Sequence, residues 1–264
     1  MRALIIYLVI SAVFIGCTPI LSIDASTQNV YHFSDTDKNI SLLDISETFG
    51  TYDGSFVLYD NNLDSWKIYD LEEATKRIPP ESTYKIYDAL LGLESGIITP
   101  EHSSMTWNGD AFPFPSWEAD QDLNSAMQNS VNWYFQAIDS QLGINRVQEF
   151  LNKIEYGNQT TSSNLDLYWS DFSLKISPLE QVTLLKKFNT NEFHLNSQNV
   201  FSVKNAIKIA STPNGNFYGK TGTGRINGQD INGWFIGYVE TSDNSYYFAT
   251  NIQSDSNATG KKSI

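Results

Sequence analysis

Strand-like segments at both ends of the chain, with helical periodicity between them, limit what this sequence can fold into. Residues 55–60 (SFVLYD) and 65–70 (SWKIYD) are short β-rich runs separated by Asn61-Asn62-Leu63-Asp64, which reads as a hairpin. Strand patterns return only at 217–222, 233–240 and 245–251. The 233–240 run alternates Trp234, Ile236 and Tyr238 with Phe235, Gly237 and Val239, as in a strand covered on both faces. Between these ends, Ile86, Ala89, Leu90 and Leu93 follow helical spacing, and residues 121–140 and 144–154 carry similar patterns. Ser177-Pro178-Leu179-Glu180 is a capping box with proline at the first helical position. The expectation is an α+β fold in which the terminal strands form one antiparallel sheet and a helical region, roughly 86–190, is inserted.

Composition narrows the chemistry. Lys and Arg number 17 against 30 Asp and Glu, a formal charge of −13, so the surface repels phosphate backbones and nucleic acid is not an expected partner. One cysteine, Cys17, excludes an internal disulfide framework, and three scattered histidines argue against a zinc site. Catalysis would have to run on hydroxyls, amines and carboxylates, with no metal and no dissociable organic cofactor. At the N-terminus, Arg2 and the apolar run 3–15 read as a signal peptide over residues 1–16. Val13-Phe14-Ile15-Gly16-Cys17 resembles a lipoprotein cleavage site, with Cys17 lipidated and membrane contact through that N-terminal anchor alone. Cleavage near Ala25 and an uncleaved anchor are the alternatives, and all three place the protein outside the cytoplasm. A mature N-terminal segment (17–50) then precedes the main domain (51–264).

Ser82-Thr83-Tyr84-Lys85 follows Pro79-Pro80, where a helix would begin. Residues three apart share a helix face, so Lys85 can reach the Ser82 hydroxyl and, if burial removes its charge, take its proton. Unpaired N–H groups at the helix start can meet a developing oxyanion. Alone, S-x-x-K is a weak signal, better read as a capping serine beside a solvated lysine. Ser130-Val131-Asn132 falls inside an expected helix, and Lys220-Thr221-Gly222-Thr223-Gly224 ends an expected strand. There a lysine and a hydroxyl can bind a carboxylate, and the glycine lets a substrate lie against the backbone.

The order S-x-x-K, S-x-N, K-T-G is the pattern of penicillin-recognising serine acyltransferases. Tyr156-Gly157-Asn158, followed by Trp169, resembles the class D (oxacillinase) β-lactamases from about Phe56 to the C-terminus. Segments 82–90 (STYKIYDAL), 129–135 (NSVNWYF) and 220–224 (KTGTG) look still more like the extracellular penicillin-sensor domains of staphylococcal and bacillar receptors, which share that fold. The resemblance implies a serine β-lactamase/penicillin-binding transpeptidase fold, a central antiparallel sheet flanked by helices. It implies Ser82 as the acylated nucleophile, Lys85 as a general base after carboxylation by CO₂, and Ser130 as proton relay. It also implies that the Trp169 indole steadies the carbamate, Lys220 and Thr221 serve the substrate carboxylate and proton relay, and the Ser82 and Thr223 N–H groups form the oxyanion hole. Lys261 lies where class D enzymes usually have an arginine, and a lysine there is a point charge rather than a fork. The implied ligands are β-lactam antibiotics and, for a DD-peptidase, peptidoglycan stem peptides.

Two departures from class D bear on function. Asn132 stands where most class D enzymes have valine. An asparagine can hydrogen-bond the free amine, favouring loss of CO₂ after acylation and a long-lived acyl-enzyme. The chain also stops where relatives continue into a last helix on the sheet, so an exposed apolar sheet face is expected. The first reading is a class D-like β-lactamase; the second is a sensor or trap that acylates once. Trp107, Phe112, Phe114 and Trp117 are expected to form a cleft-edge loop in which most pack into the core.

Overall fold

A computed structural model describes residues 39–264. The leader 1–16, Cys17 and the rest of the stretch up to residue 38 lie outside the described residues. The described chain opens with β1 (Ile40–Leu42), the short helix α1 (Ser46–Phe49), the expected hairpin β2 (Asp53–Asp60) and β3 (Ser65–Tyr69), and α2 (Leu71–Thr75). A 3₁₀ turn (Glu81–Tyr84) leads into α3 (Lys85–Glu94), α4 (Leu123–Gln128), α5 (Asn132–Leu142), α6 (Ile144–Ile154), α7 (Pro178–Asn189) and α8 (Ser197–Ala206). The chain then returns to the sheet as β4 (Lys208–Thr212), β5 (Gly215–Ile226), β6 (Gln229–Glu240) and β7 (Ser245–Gln253).

The seven strands lie in the order β1-β3-β2-β7-β6-β5-β4. The two ends of the chain meet at the antiparallel β2–β7 ladder, Phe56 opposite Thr250, which closes the terminal runs into one sheet. Every pair is antiparallel except β1 with β3. β1 and β4 are edge strands that the sequence pattern did not announce. β4 is exposed along its whole length, so it has no buried face to write an alternation.

Two expectations need correction. Residues 121–140 are not one helix: α4 ends at Gln128 and α5 starts at Asn132. The break is a Schellman motif, in which Val131 N–H donates to Ala126 O (2.9 Å) and Ser130 N–H to Met127 O (3.3 Å). Ser130 therefore sits in the left-handed region (φ 56°) between helices, not inside one. The apolar period runs on across the gap (Met127, Val131, Tyr134), so the pattern concealed it. Likewise K-T-G-T-G lies within β5 rather than at a strand end. β5 continues to Ile226, where Asn227-Gly228, both at positive φ, make the tight hairpin into β6.

The inner sheet face, with Val57, Trp234, Ile236, Tyr238, Tyr247 and Ala249, packs into one core with α3, α5 and α7. β6 is buried from Asn232 to Tyr238, so the reading of a strand covered on both faces is borne out. On the outer face Phe49 of α1 covers Ile252, while Phe217, Phe235 and Phe248 pack on one another with ring centroids 5.1–6.0 Å apart. Among the described residues no helix follows β7.

The capping box of α7 forms as read: Ser177 Oγ accepts from Glu180 N–H at 3.3 Å, and Glu180 Oε2 accepts from Ser177 N–H at 2.9 Å. Glu180 also receives Arg77 through its Nε and Nη2, tying α7 to the chain just before the 3₁₀ turn. Ser177→Ala should cost about 1 kcal/mol of stability, and Glu180→Ala more, because it also strands a half-buried guanidinium. Urea denaturation of the three proteins measures both.

Candidate active site

The 3₁₀ turn carrying Ser82 is gripped from three sides. Glu81 N–H donates to Trp169 O (3.1 Å), and Thr83 Oγ1 donates to Pro80 O (2.6 Å) while accepting from Gln181 Nε2 (2.8 Å). From the sheet, Asn232 Nδ2 (3.0 Å) and Trp234 Nε1 (2.8 Å) both donate to Pro79 O. Glycines let β5 approach this closely: a Cβ on Gly222 would lie 3.1 Å from Pro80 O and 3.2 Å from Ser82 N. With three residues per turn, Ser82 and Lys85 eclipse, and Lys85 Nζ donates to Ser82 Oγ at 2.9 Å.

Lys85 is fully buried. Its Nζ also donates to Asn132 Oδ1 at 2.7 Å and lies 5.5 and 5.6 Å from the centroids of the Trp169 and Phe135 rings. Burial pushes its pKa down to about 7, with Asp88 the largest opposing influence. The amine is therefore poised as a base near neutral pH. Across the cleft, Lys220 Nζ donates to Ser130 Oγ (2.8 Å) and Thr221 O (2.9 Å), and burial and then Lys85 push its pKa well below the ordinary value. The left-handed backbone at Ser130 aims its hydroxyl at β5.

Tyr156-Gly157-Asn158 acts as a latch. Asn158 N–H donates to Lys175 O, Asn158 Oδ1 accepts from Lys175 N–H, both at 2.9 Å, and Asn158 Nδ2 donates to Ser173 O (2.7 Å). The loop between them, bearing Tyr168 and Trp169, is thereby pinned at both ends. Gly157 has φ 50°, and a Cβ there would lie 2.0 Å from Lys175 O, so only glycine fits. Tyr156 is buried edge-on against Tyr84 (5.2 Å) and Tyr87 (5.1 Å), and Trp169 stacks on Tyr84 (6.3 Å).

A cleft of about 430 Å³ opens over these groups, lined by Ser82, Ser130, Asn132, Thr221, Gly222 and Thr223, with Phe114 and Trp117 at one edge and Arg225, Asp230 and Thr259 at the other. Nine sequence-selected residues thus come together around it: Ser82, Lys85, Ser130, Asn132, Trp169, Lys220, Thr221, Thr223 and, through the latch, Asn158. Lys261 is exposed and is not among the lining residues; the cation at the rim is Arg225, whose Nε donates to Asp230 Oδ1 at 2.7 Å. Of the aromatic loop, Trp117 packs against the core, while Trp107 and Phe112 are half-buried and Phe114 is exposed. That loop is a cleft edge more than a core element.

Sequence reasoning missed Glu81, which is buried beneath β5 and accepts from Asn232 Nδ2 (3.3 Å). Burial raises its pKa to about 8. It also missed Asp88 and Asp139 behind Lys85, although Asp88, three residues after Lys85 on an otherwise apolar helix face, was a signal.

The penicillin binding protein transpeptidase domain model matches residues 46–263. The chain belongs to that family. It is 45% identical over 260 residues to the regulatory protein BlaR1 of Bacillus licheniformis, spanning 98% of this chain and 43% of that protein. The chain thus spans less than half the length of this relative. The solved C-terminal domain of the Bacillus licheniformis BlaR penicillin-receptor superposes with a TM-score of 0.82 at 46% identity, covering 85% of this chain and 92% of that domain. Homology extends to class D β-lactamases: the probable β-lactamase YbxI of Bacillus subtilis (strain 168) is 35% identical over 226 residues, 86% of this chain and 83% of that protein. The family and fold expected from the motifs are both borne out.

Two outcomes follow from this geometry. Glu81 has a folded pKa of about 8 against an ordinary 4.5, so between those values the native state holds a proton that the unfolded chain releases. The penalty for burying its charge is absent below that window and complete above it. Glu81→Gln should therefore gain stability relative to the parent as pH rises from about 4.5 to 8, then level off; urea titrations across that range measure it. Gly157→Ala should destabilise by more than about 1 kcal/mol in the same assay, because the latch backbone cannot accept a Cβ.

Proposed function

We propose that this chain is a β-lactam receptor of the penicillin-recognising serine type, which acylates Ser82 readily and releases the product slowly. The carrying observation is the 2.7 Å hydrogen bond from Lys85 Nζ to Asn132 Oδ1, which engages the nitrogen that carbon dioxide would have to take. In acylation the Lys85 amine takes the Ser82 proton across 2.9 Å, and Ser82 Oγ attacks the lactam carbonyl. The N–H groups of Ser82 and Thr223 receive the oxyanion. The Ser130 hydroxyl, with Lys220 Nζ at 2.8 Å, delivers a proton to the departing ring nitrogen. Thr221, Lys220 and the rim cation hold the substrate carboxylate. Deacylation needs a second base to activate water. Carbon dioxide combined with Lys85 supplies that carboxylate-like base in the class D reading, and Asn132 competes for the same nitrogen.

The second reading is class D hydrolysis through Ser82 and carboxylated Lys85. The Trp169 ring beside Lys85 and the likeness to a probable β-lactamase over most of its length favour it. Under either reading the protein works outside the cytoplasm, with Cys17 as its lipid attachment. Among the described residues no helix is long and apolar enough to cross a membrane.

A chromogenic cephalosporin separates the readings. The receptor reading expects a burst stoichiometric with protein followed by almost no turnover; sustained turnover favours hydrolysis. Mass spectrometry should find the penicilloyl adduct on the peptide bearing Ser82, and labelling of Ser82→Ala would overturn the nucleophile. The acylation rate should rise with pH through about 7, as Lys85 loses its proton. Asn132→Val, with added bicarbonate, should shorten the adduct's life about tenfold or more, a barrier change of about 1.4 kcal/mol.

A further inference from the structure

Glu81 occupies its place at a cost that packing alone does not explain. It precedes Ser82 in the 3₁₀ turn at φ 52°, in the left-handed region where glycine would be less strained, and it is buried. Its Oε1 accepts a long hydrogen bond from Asn232 Nδ2 at 3.3 Å, which offsets little of the desolvation of a carboxyl group. The side chain lies lengthwise beneath β5. A Cβ on Gly222 would fall 3.0 Å from Glu81 Cβ, and a Cβ on Gly224 would fall 2.8 Å from Glu81 Cδ and closer still to Oε1. Glu81 therefore passes under Thr223, the residue between them. β4 pairs with β5 only from Gly215 to Tyr218, so among the described residues no strand supports the outer edge of β5 at Thr223. Three things hold Thr223: Gly233 opposite it on β6, Gly260 N–H donating to its Oγ1 at 2.9 Å, and Glu81 below. Of these, Glu81 alone is bonded to Ser82.

We propose that Glu81 is a positioning residue acting through β5: its side chain is the spacer that sets the Thr223 N–H against the Ser82 N–H and so fixes the width of the oxyanion hole. The inference rests on the reading above, in which those two groups receive the oxyanion. Two donors help only when both reach the same oxygen, and that oxygen carries its charge in the transition state rather than in the bound lactam. Without the spacer β5 can settle onto the turn, which slows attack by Ser82 while leaving the binding that precedes it nearly unchanged. Ionisation of Glu81 would have a related effect, because it sets a negative charge beside the developing oxyanion. Burial holds the carboxyl protonated up to about pH 8. Of the elements packed on Glu81, α3 brings the charge that opposes this rise, Lys85. β5 and β6 bring Gly222, Gly224 and Asn232, the latched loop brings Trp169 O, and Lys220 of β5 is turned towards Ser130.

The test compares Glu81→Ala, which removes the spacer, with Glu81→Gln, which keeps its length and its acceptor for Asn232. Stopped-flow acylation by a chromogenic cephalosporin, run over a range of concentrations, separates the acylation rate constant from the Kd of the complex that precedes it. Glu81→Ala should lower the rate constant about tenfold or more with Kd within about twofold of the parent, and Glu81→Gln should restore most of the rate at pH 7. A parental rate constant in Glu81→Ala, or a Glu81→Gln protein as slow as Glu81→Ala, overturns the proposal. In the parent the rate constant should fall again above about pH 8, and Glu81→Gln should abolish that fall; a fall that persists overturns the proposal. A parent that the cephalosporin does not acylate overturns the receptor reading instead, and NMR of the ligand-free protein then decides the spacing. The carboxyl carbon of Glu81, assigned as the signal lost in Glu81→Gln, and the Thr223 and Gly224 amides should titrate with one common midpoint, and that step in the amides should be missing from Glu81→Gln. Amides that do not follow the carboxyl overturn the proposal, and this readout also serves if Glu81→Ala does not fold.

Discussion

A lysine amine buried among aromatic rings is the interaction on which the rest of this structure depends. An isolated ammonium in such surroundings is costly, and the chain meets that cost by giving Lys85 two acceptors, Ser82 Oγ and Asn132 Oδ1, and two ring faces. Burial that would be a defect elsewhere here brings the amine near its neutral form at ordinary pH. The neighbours that hold it come from separate parts of the chain: the 3₁₀ turn, the start of α5 and the loop latched by Asn158. The site exists only when all three are docked.

The docking is polar as well as apolar. Asn251 Nδ2 donates to Asn232 Oδ1 and to Gly233 O, and Asn232 Nδ2 donates in turn to Pro79 O beneath the turn that carries Ser82. These amides are buried, so each must be satisfied, and that condition fixes how β6 and β7 meet the turn far more narrowly than packing alone does. Two residues that flank the cleft, Glu81 and Ser130, lie at positive φ without being glycine, as nine others do elsewhere among the described residues. The surrounding hydrogen bonds hold them in those conformations.

Much of this was legible because it rests on local rules. The β2–β3 hairpin, the α7 capping box and the helix over 144–154 follow from patterns that one segment contains, and each is found. The motif residues were legible because a hydroxyl and an amine three residues apart share one face of a helical turn, and that spacing is local. The misreadings are non-local. The break at Ser130 is enforced by a left-handed residue inside an unbroken apolar period. β4 has no buried face to write a pattern. Arg225 reaches the rim because the β5–β6 hairpin is longer than its apolar run, while Lys261, expected there, is exposed. Glu81 and Asp88 are ordinary acidic residues in the sequence, and only burial makes them unusual.

By itself the sequence determined which groups are candidates for the site and in what order they occur along the chain, because S-x-x-K, S-x-N, Y-G-N and K-T-G select residue types at short spacing. Tertiary structure decided what state those groups are in. Whether Lys85 is an amine or an ammonium, whether Glu81 and Asp88 keep their protons, and which cation lies at the rim depend on distances between segments tens of residues apart. They depend too on the removal of water, which no local pattern records. Desolvation is a property of the assembled interior, so the candidate site residues could be read from the chain and their protonation only from the fold.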